Sequence, residues 1–304
     1  MPDQSSSGAR QRLHVRFMDA PLGAEISGID LAQPLDDATF AEIDRLYNER
    51  AVLVFRGQKL TPETHVRFSQ RFGEVEIPTN RQYSLASQPE VYVVSNIVEN
   101  GRHIGNADAG RVWHTDSCYM KVPSRGSLLY AIEVPRDEQG QPLGDTLFAS
   151  MSAAYEALPE ATKKRGEGLE GVHNYSIQYE RRLAKIKAAG GQRAELDETT
   201  KSKVPPVAHP VFRPHPITGR RCIFVNIAFV HEIIGLPEAV GLALRDELIA
   251  HCTQPQFVYR HRWQEGDLVM WDNASTQHLA IADYALPQRR LMYRTTVKGA
   301  APRA

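Results

Sequence analysis

Two histidines and an aspartate have the residue types and spacing of a metal site: His114 and Asp116, separated only by Thr115, and His278 much later in the chain. Two imidazoles and one carboxylate form a ligand set that can hold a non-haem Fe(II) ion and leave one face open for O2 and an organic co-substrate. Residues i and i+2 of a β-strand point to the same side, so a strand would direct His114 and Asp116 toward one ion. The pattern therefore predicts an iron site that is open to oxygen.

Arg290 and Arg294 lie four residues apart at the last predicted strand, residues 291–297, and should face the same side of it. Their Cα atoms would be about 13 Å apart along a strand. A guanidinium that points into a barrel loses its hydration unless it meets an anion. The separation suits two different anions better than one. The alternative is that one or both pair with a structural carboxylate such as Asp272 or Asp283.

Further motifs extend this pattern over nearly the whole chain. They are Gly23 to Asp30, Trp113-His114-Thr115-Asp116, Gly144-Asp145-Thr146-Leu147, Trp271 to His278, Asp283 to Arg290, and Arg294 to Val297. In this order they resemble the motifs of the taurine dioxygenase / 2,4-dichlorophenoxyacetate dioxygenase (TauD/TfdA) family of Fe(II)- and 2-oxoglutarate-dependent oxygenases. The resemblance implies a single catalytic domain over residues 13–304 with a double-stranded β-helix (jelly-roll) core, and a homo-oligomer, either a dimer or a tetramer.

The resemblance also assigns a role to individual residues. It implies that His114, Asp116 and His278 hold the iron and so form the catalytic centre. Thr146 and Arg290 would bind the distal carboxylate of 2-oxoglutarate. With O2, 2-oxoglutarate would be converted to succinate and CO2 while a small organic acid is hydroxylated, as a step in catabolism.

Trp271 would form a wall of the co-substrate pocket, and Arg294 would face the acidic group of the primary substrate. Around the substrate, the chain departs from taurine-type members of the family. Pro78 and Arg81 occupy positions where those members have a histidine and a tyrosine, and Gly110 replaces an asparagine. The lost amine partners and the added arginine disfavour taurine and favour an aryloxyalkanoate, another sulfonate or a similar anion.

Two other classes of protein could use the same three metal ligands. A metal-dependent hydrolase or isomerase on a jelly roll would bind zinc or manganese, but it would not need Thr146 and Arg290 for a dicarboxylate. An inert binding protein on this fold would have no reason to keep the complete ligand set. Both alternatives are therefore less favoured than an oxygenase.

Composition limits the partners and the compartment. The chain has 304 residues, and its 36 basic residues balance 36 acidic ones, so we expect a small-molecule partner and neither nucleic acid nor a membrane. Residues 1–12 lack an apolar segment, which predicts a disordered tail and no secretory signal. Cys118, Cys222 and Cys252 are an odd number without metal-like spacing, as expected in the reducing cytoplasm. Cys118 either has a role beside Asp116 or is a small core residue.

Hydrophobic periodicity predicts helices at residues 36–50, 61–72, 152–165 and 238–252. The rest of the chain contains many short strands separated by turn residues, so the fold class should be mainly β with flanking helices. Such a strand pattern without internal repeats is typical of a jelly roll. Residues 177–206 are rich in charged residues and glycine, which favours a long surface insertion, either a lid over the site or an inert solvated segment.

Overall fold

The computed structural model describes residues 13–78, 81–188, 190 and 194–302, so the tail expected at residues 1–12 lies outside the described residues. The helices are α1 (Asp37–Arg50), α2 (Pro62–Gln70), α3 (Met151–Glu156), α4 (Glu160–Gly166), α5 (Tyr175–Ala188), α6 (Glu198–Lys203) and α7 (Glu238–Cys252). The strands are β1 (His14–Phe17), β2 (Ala24–Ser27), β3 (Val52–Phe55), β4 (Tyr92–Ser95), β5 (Val98–Glu99), β6 (Arg102–His103), β7 (Gly126–Glu133), β8 (Thr146–Ser150), β9 (Glu170–His173), β10 (Val207–Pro210), β11 (Phe212–Pro214), β12 (Arg221–Ile223), β13 (Val230–Ile233), β14 (Val258–His261), β15 (Leu268–Asp272), β16 (Thr276–Ala280) and β17 (Leu291–Val297). Short 3-10 turns occur at Arg81–Tyr83 and Pro255–Phe257. Among the described helices, none is both long and apolar enough to cross a membrane.

The largest sheet has seven strands in the order β1-β2-β3-β15-β7-β17-β4, with β2 and β3 parallel and the other neighbours antiparallel. Side chains of its central strands alternate between the two faces, as a pleated strand requires. Leu53 and Phe55 of β3 pack with helices α1 and α2 on one face, whereas Val52 and Val54 point to the other. The two helices therefore cover the outer face of this sheet and leave its inner face for other strands.

A three-stranded sheet, β14-β8-β16, packs on the inner face of the large sheet. Phe148 of β8 and Trp263, just after β14, share a buried cluster with Val269 and Met292 of the large sheet. A second cluster joins α3 and α7 to strands β11 to β13. Short strands with flanking helices were predicted from the sequence, and the prediction is confirmed at this level.

Three of the predicted long helices are confirmed as α1, α2 and α7. Asp36 caps α1 by accepting a hydrogen bond from the Thr39 backbone nitrogen at 2.8 Å, and Thr61 forms a capping box at the start of α2. The continuous helix predicted at residues 152–165 is wrong. Pro159 separates α3 from α4, because it has no N–H to continue the first helix.

The surface insertion predicted at residues 177–206 contains two helices, α5 and α6, and α5 begins slightly before it. Arg182 of α5 forms an ion pair with Asp108 at 3.2 Å. The ring of Tyr175, at the start of α5, lies 4.7 Å from the ring of Tyr119. These contacts join α5 to the loops on both sides of the His-Thr-Asp motif.

Candidate active site

The His-Thr-Asp motif begins at a β-bridge residue, His114, and continues into a turn that contains Asp116. His114 forms an isolated antiparallel bridge with His278 of β16, with backbone hydrogen bonds of 3.1 and 2.9 Å. The continuous strand expected beyond His114 is wrong, because Asp116 lies in a turn in which Ser117 has a φ of 53°. The turn nevertheless returns the Asp116 side chain to the two imidazoles.

Three donor groups converge at this point: His114, Asp116 and His278 each offer a ligand atom, and these atoms lie within 4.8 Å of one another. Nε2 of His114 is 3.5 Å from one carboxylate oxygen of Asp116, and Nε2 of His278 is 4.0 Å from the other. The two imidazole centroids are 4.1 Å apart. The structure therefore brings together the three residues that the sequence singled out.

Both imidazoles are held in a form that can bind a metal. Nδ1 of His114 lies 2.8 Å from the carbonyl oxygen of Val112, so a proton on Nδ1 leaves the lone pair on Nε2 free. Burial, and then the neighbouring His114, hold the pKa of His278 well below its ordinary value. The rings of Trp271 and Phe148 pack at 4.8 and 6.0 Å from that of His278. Metal binding requires an unprotonated ring nitrogen that faces the ion.

The Asp116 carboxylate is buried and has a hydrogen-bond donor on each oxygen. Oγ of Ser127 donates to Oδ2 at 2.7 Å, and a terminal nitrogen of Arg294 donates to Oδ1 at 3.3 Å. Burial alone would raise the pKa of Asp116, but Arg294 and the two imidazoles together lower it well below its ordinary value. Arg294 thus pairs with Asp116 itself, and neither Asp272 nor Asp283 is its partner.

The ring of Tyr92 lies beside Arg294. Its guanidinium lies 5.3 Å from the ring centroid of Tyr92. Burial lowers the pKa of Arg294, but Asp116, Tyr92 and Tyr119 together raise it above its ordinary value. The ring of Tyr119 lies 4.8 Å from Phe229. A guanidinium beside an aromatic ring and the metal cluster can bind an anion whose remainder is apolar.

A second guanidinium, that of Arg290, is almost completely buried in a separate pocket. It donates to the carbonyl oxygen of Gly144, and its Nε is buried without a hydrogen-bond partner. The rings of Tyr284 and Trp263 lie 5.4 and 5.9 Å from it. Among the described residues, Arg290 forms no ion pair within 4.0 Å, and burial lowers its pKa. Oγ1 of Thr146 accepts a hydrogen bond from Trp263 at 3.0 Å beside it.

Gly144 is required for this pocket to form. Its φ is +75°, and a Cβ added there would lie 2.0 Å from a terminal nitrogen of Arg290 and 2.9 Å from the ring of Tyr284. Its backbone nitrogen donates to Asp283 at 2.7 Å. A glycine at this position therefore provides both the left-handed backbone and the space for the guanidinium.

Strand register connects the two parts of the site. On β8 and β16, Phe148 is opposite His278 and Thr146 is opposite Ala280. Thr146 and Phe148 point to the same face of β8, so Thr146 lies about 7 Å along the strand from the position facing His278. The metal cluster and the Arg290 pocket therefore lie side by side on one face of the small sheet.

The other two predicted substrate residues, Gly110 and Arg81, differ in how close they lie to the metal cluster. Gly110 lies against the cluster: a Cβ at this position would be 3.4 Å from the imidazole of His114. Arg81 is exposed in a 3-10 turn, and within the described part of the chain no contact joins it to Arg294. The Tyr83 ring of the same turn lies 6.1 Å from that of Tyr92, which places the turn near the aromatic surroundings of Arg294.

Cys118 follows the motif and is completely buried. Nδ2 of Asn226 donates to its Sγ at 3.3 Å. Burial raises the pKa of this thiol to about 12, so it is protonated at neutral pH. These surroundings favour the interpretation of Cys118 as a packing residue.

Sequence reasoning missed three contributors: Trp263, Tyr284 and Ser127. Tyr284 lies within the Asp283 to Arg290 motif, but neither its ring nor that of Trp263 was expected to contact Arg290. Ser127 was not expected to contact Asp116. The available signal for Ser127 was a small polar residue where neighbouring strand residues are apolar.

Two imidazoles and a carboxylate converge beside a buried arginine, which is a side-chain set typical of a metal-dependent enzyme. The family model "Taurine catabolism dioxygenase TauD, TfdA family" matches residues 14–296. The chain belongs to this family and is an Fe(II)- and 2-oxoglutarate-dependent dioxygenase.

Two characterised relatives and a solved structure illustrate the similarity. The alpha-ketoglutarate-dependent 2,4-dichlorophenoxyacetate dioxygenase of Cupriavidus pinatubonensis is 36% identical over 283 residues, which cover 90% of this chain and 93% of the relative. The alpha-ketoglutarate-dependent sulfate ester dioxygenase of Pseudomonas putida is 31% identical, over 95% of this chain and 91% of the relative. The crystal structure of AAD-2 in complex with Mn(II) and N-oxalylglycine superposes with a TM-score of 0.79 at 30% identity, over 96% of this chain and 99% of that one.

Proposed function

We propose that this dioxygenase hydroxylates a small organic acid that has one anionic group and no amine, with Fe(II) held by His114, Asp116 and His278. The observation that carries the proposal is the presence of two guanidinium groups, the buried one of Arg290 and the partly exposed one of Arg294, at separate positions around one metal cluster. Two separate cations fit two separate anions, one from the co-substrate and one from the substrate.

The donor set fits Fe(II). Two imidazoles and one carboxylate supply three ligand atoms within 4.8 Å of one another, the ligand set that non-haem iron oxygenases use. Bound Fe(II) would supply the O2 chemistry of the family, in which 2-oxoglutarate becomes succinate and CO2 while a C–H bond of the substrate becomes C–OH. The chain itself orients the three ligands, and Trp271 and Phe148 shield the His278 side from water.

Arg290 and Thr146 would hold the distal carboxylate of 2-oxoglutarate. The Nε of Arg290, buried without a partner, can donate to a carboxylate oxygen, and a guanidinium can bind a carboxylate through two parallel hydrogen bonds. The Trp263 and Tyr284 rings hold the guanidinium plane in place. Trp271 packs against His278 and would line the co-substrate site between Arg290 and the metal.

Arg294 would bind the anionic group of the primary substrate. Its aromatic surroundings suit a substrate with an apolar or aromatic body, and the two relatives described above are named for an aryloxyacid and for sulfate esters. Taurine is disfavoured, because Pro78 has no side-chain donor or acceptor and Gly110 offers no side chain beside His114. The exposed Arg81 lies in the turn near Tyr92 and would add positive charge on the Arg294 side of the substrate site, which would repel an ammonium group.

Helix α5 would act as a lid over this site. Its ion pair between Arg182 and Asp108 and its ring contact between Tyr175 and Tyr119 join it to the two loops that flank the metal motif. Opening these contacts would admit the substrate, and closing them would exclude water.

The fold, the cellular compartment and the oligomeric state are also part of the proposed function. The large sheet and the β14-β8-β16 sheet would form the two walls of a double-stranded β-helix, since both contribute to one buried cluster. The three cysteines are buried and unpaired, which supports a reducing compartment such as the cytoplasm. The similarity to the family supports a dimer or a tetramer, which sedimentation would resolve.

Succinate formation tests the proposed substrate class. The purified enzyme, supplied with Fe(II), 2-oxoglutarate and O2, is assayed with aryloxyacids, alkyl sulfate esters, amine-free sulfonates and taurine. We expect turnover with at least one amine-free anion and little with taurine. Arg294→Met should abolish the preference for anions, whereas Arg289→Met should not, because Arg289 is exposed and pairs with Glu133. Efficient taurine turnover would contradict the proposal.

A further inference from the structure

We propose that Ser127 is a positioning residue for the metal site and that Asn273 holds Ser127 in place. The Ser127 hydroxyl would fix the carboxylate of Asp116 in the orientation that faces both imidazoles. This inference rests on the proposed role of His114, Asp116 and His278 as the iron ligands.

The backbone alone does not fix the Asp116 side chain. Asp116 lies in a turn and not in a strand, so no neighbouring ladder restricts the rotation of its carboxylate. Ser127, by contrast, lies within β7, is completely buried and points to the inner face together with Leu129 and Ala131. Its hydroxyl donates to Oδ2 of Asp116 at 2.7 Å. A buried hydroxyl donating to a carboxylate forms a charge-assisted hydrogen bond, which is stronger than a neutral one.

Asn273 determines the direction in which the Ser127 hydroxyl donates. Nδ2 of Asn273 lies 2.9 Å from Oγ of Ser124 and 3.4 Å from Oγ of Ser127. An amide NH2 group can only donate, so both serine oxygens accept from Asn273 and their own protons must go elsewhere. The proton of Ser127 goes to the Asp116 carboxylate, and that of Ser124 goes to the Asp116 backbone oxygen at 3.4 Å.

The turn that carries Asn273 is itself fixed. Asp272 accepts hydrogen bonds from His215, from the backbone nitrogen of Ala274 and from the hydroxyl of Ser275. The backbone nitrogens at positions 272 and 273 donate to carbonyl oxygens of neighbouring segments at 2.8 and 3.0 Å. The same turn leads directly into β16, which carries His278. One buried turn therefore positions a histidine ligand through the strand and the aspartate ligand through Asn273 and Ser127.

Arg294 makes this support necessary. It already donates to Oδ1 of Asp116, and a guanidinium prefers to bind both oxygens of a carboxylate. Without the Ser127 hydroxyl on Oδ2, the carboxylate can rotate into a two-oxygen pair with Arg294 and away from the imidazoles. Metal binding would then have to reverse this rotation, so the metal affinity should fall.

Metal affinity measured on the full-length apoprotein tests the inference. Co(II) is titrated anaerobically into the wild type and Ser127→Ala, and binding is followed by the visible absorption of the bound ion. The expected result is a rise in the Co(II) Kd of about 10- to 100-fold, as is usual when a residue that orients a metal ligand is removed. Asn273→Ala should raise the Kd less, because the Ser127 hydroxyl remains.

Ser69→Ala is the matched control. Ser69 is also a fully buried serine with two hydrogen bonds, to the backbone of His65 and to Thr295, but it lies on α2. A Kd for Ser127→Ala within about twofold of that for Ser69→Ala overturns the inference, whatever the two changes do to the thermal stability. If Ser127→Ala does not fold, Ser127→Cys keeps the shape with a weaker donor, and an unchanged Kd in that variant overturns the inference equally.

His278→Ala separates this inference from the proposed function. If His278→Ala leaves the Co(II) Kd unchanged, the proposed metal site is wrong. If His278→Ala removes Co(II) binding while Ser127→Ala retains the wild-type Kd, the metal site stands and only the positioning role of Ser127 is wrong.

Discussion

Replacing Arg290 with methionine should separate co-substrate binding from folding. Methionine keeps much of the length of arginine and can still pack between the rings of Trp263 and Tyr284. It lacks the guanidinium, which in the structure donates to Gly144 and has its Nε buried without a partner. If Arg290 exists to bind a carboxylate, the change should weaken 2-oxoglutarate binding strongly and alter the stability of the ligand-free protein little.

The expected magnitudes follow from these contacts. Loss of the charged hydrogen bond to Gly144 costs about 1.5–3 kcal/mol, whereas removal of a buried donor without a partner returns about 1–3 kcal/mol. The two effects oppose each other, so the free energy of unfolding without ligand should change by no more than about 2 kcal/mol in either direction. Removal of one partner of a buried charge pair costs about 2–5 kcal/mol of binding. At 1.4 kcal/mol per factor of ten, the 2-oxoglutarate Kd should rise roughly 30- to 4,000-fold.

Calorimetric titration of 2-oxoglutarate into the anaerobic Co(II)-loaded enzyme measures the affinity, and urea unfolding of the ligand-free protein measures the stability. Arg289→Met is the matched control, since the neighbouring Arg289 is exposed and pairs with Glu133. An unchanged 2-oxoglutarate Kd in Arg290→Met would show that another residue binds the distal carboxylate. A loss of several kcal/mol of ligand-free stability would show that the guanidinium is structural.

Three further predictions concern the metal, the substrate and pH. His278→Ala should abolish both Co(II) binding and 2-oxoglutarate decarboxylation while the circular dichroism spectrum stays that of the wild type; wild-type turnover would refute the ligand assignment. Arg294→Met should raise the KM for the best amine-free acid by about tenfold or more, the loss of a charge-assisted contact, with the 2-oxoglutarate Kd within about twofold; normal handling of that acid would refute the role of Arg294. Burial lowers the pKa of His173 to about 3. Below about pH 6.5 the unfolded chain therefore binds a proton at this histidine that the folded protein does not bind, and the stability of the fold should decrease as the pH falls. His173→Phe should remove about 2 kcal/mol of the stability loss between pH 7 and pH 5 in urea unfolding, and an unchanged pH dependence would contradict this origin.

The metal cluster could be predicted from the sequence because its evidence is local. The spacing of His114 and Asp116, with a later histidine, indicates a metal-ligand set for any local backbone conformation that lets the three side chains converge. The strand proposed to present them was nevertheless wrong beyond His114. The left-handed Ser117 ends the extended backbone, and serine gives no sequence signal for a positive φ.

Partners that depend on tertiary packing could not be predicted. Both arginines were expected to meet anions, but only the fold shows that Arg294 already contacts Asp116 while Arg290 has no carboxylate beside it among the described residues. Trp263 reaches Arg290 and Thr146 from a distant part of the chain, and no periodicity encodes that contact. The break between α3 and α4 is different, because Pro159 is visible in the sequence and interrupts a helix by its missing N–H.

The shape of the backbone at Gly144 also limits how this enzyme can be altered. Any other residue there would occupy the volume of the Arg290 guanidinium and would strain a backbone with a φ of +75°. Random mutagenesis that aims at new substrates can therefore vary the surroundings of Arg294 widely, but it should leave position 144 unchanged in every active variant. For the same reason, a single alanine at this position offers a way to prepare an enzyme that keeps its metal ligands and has lost its co-substrate.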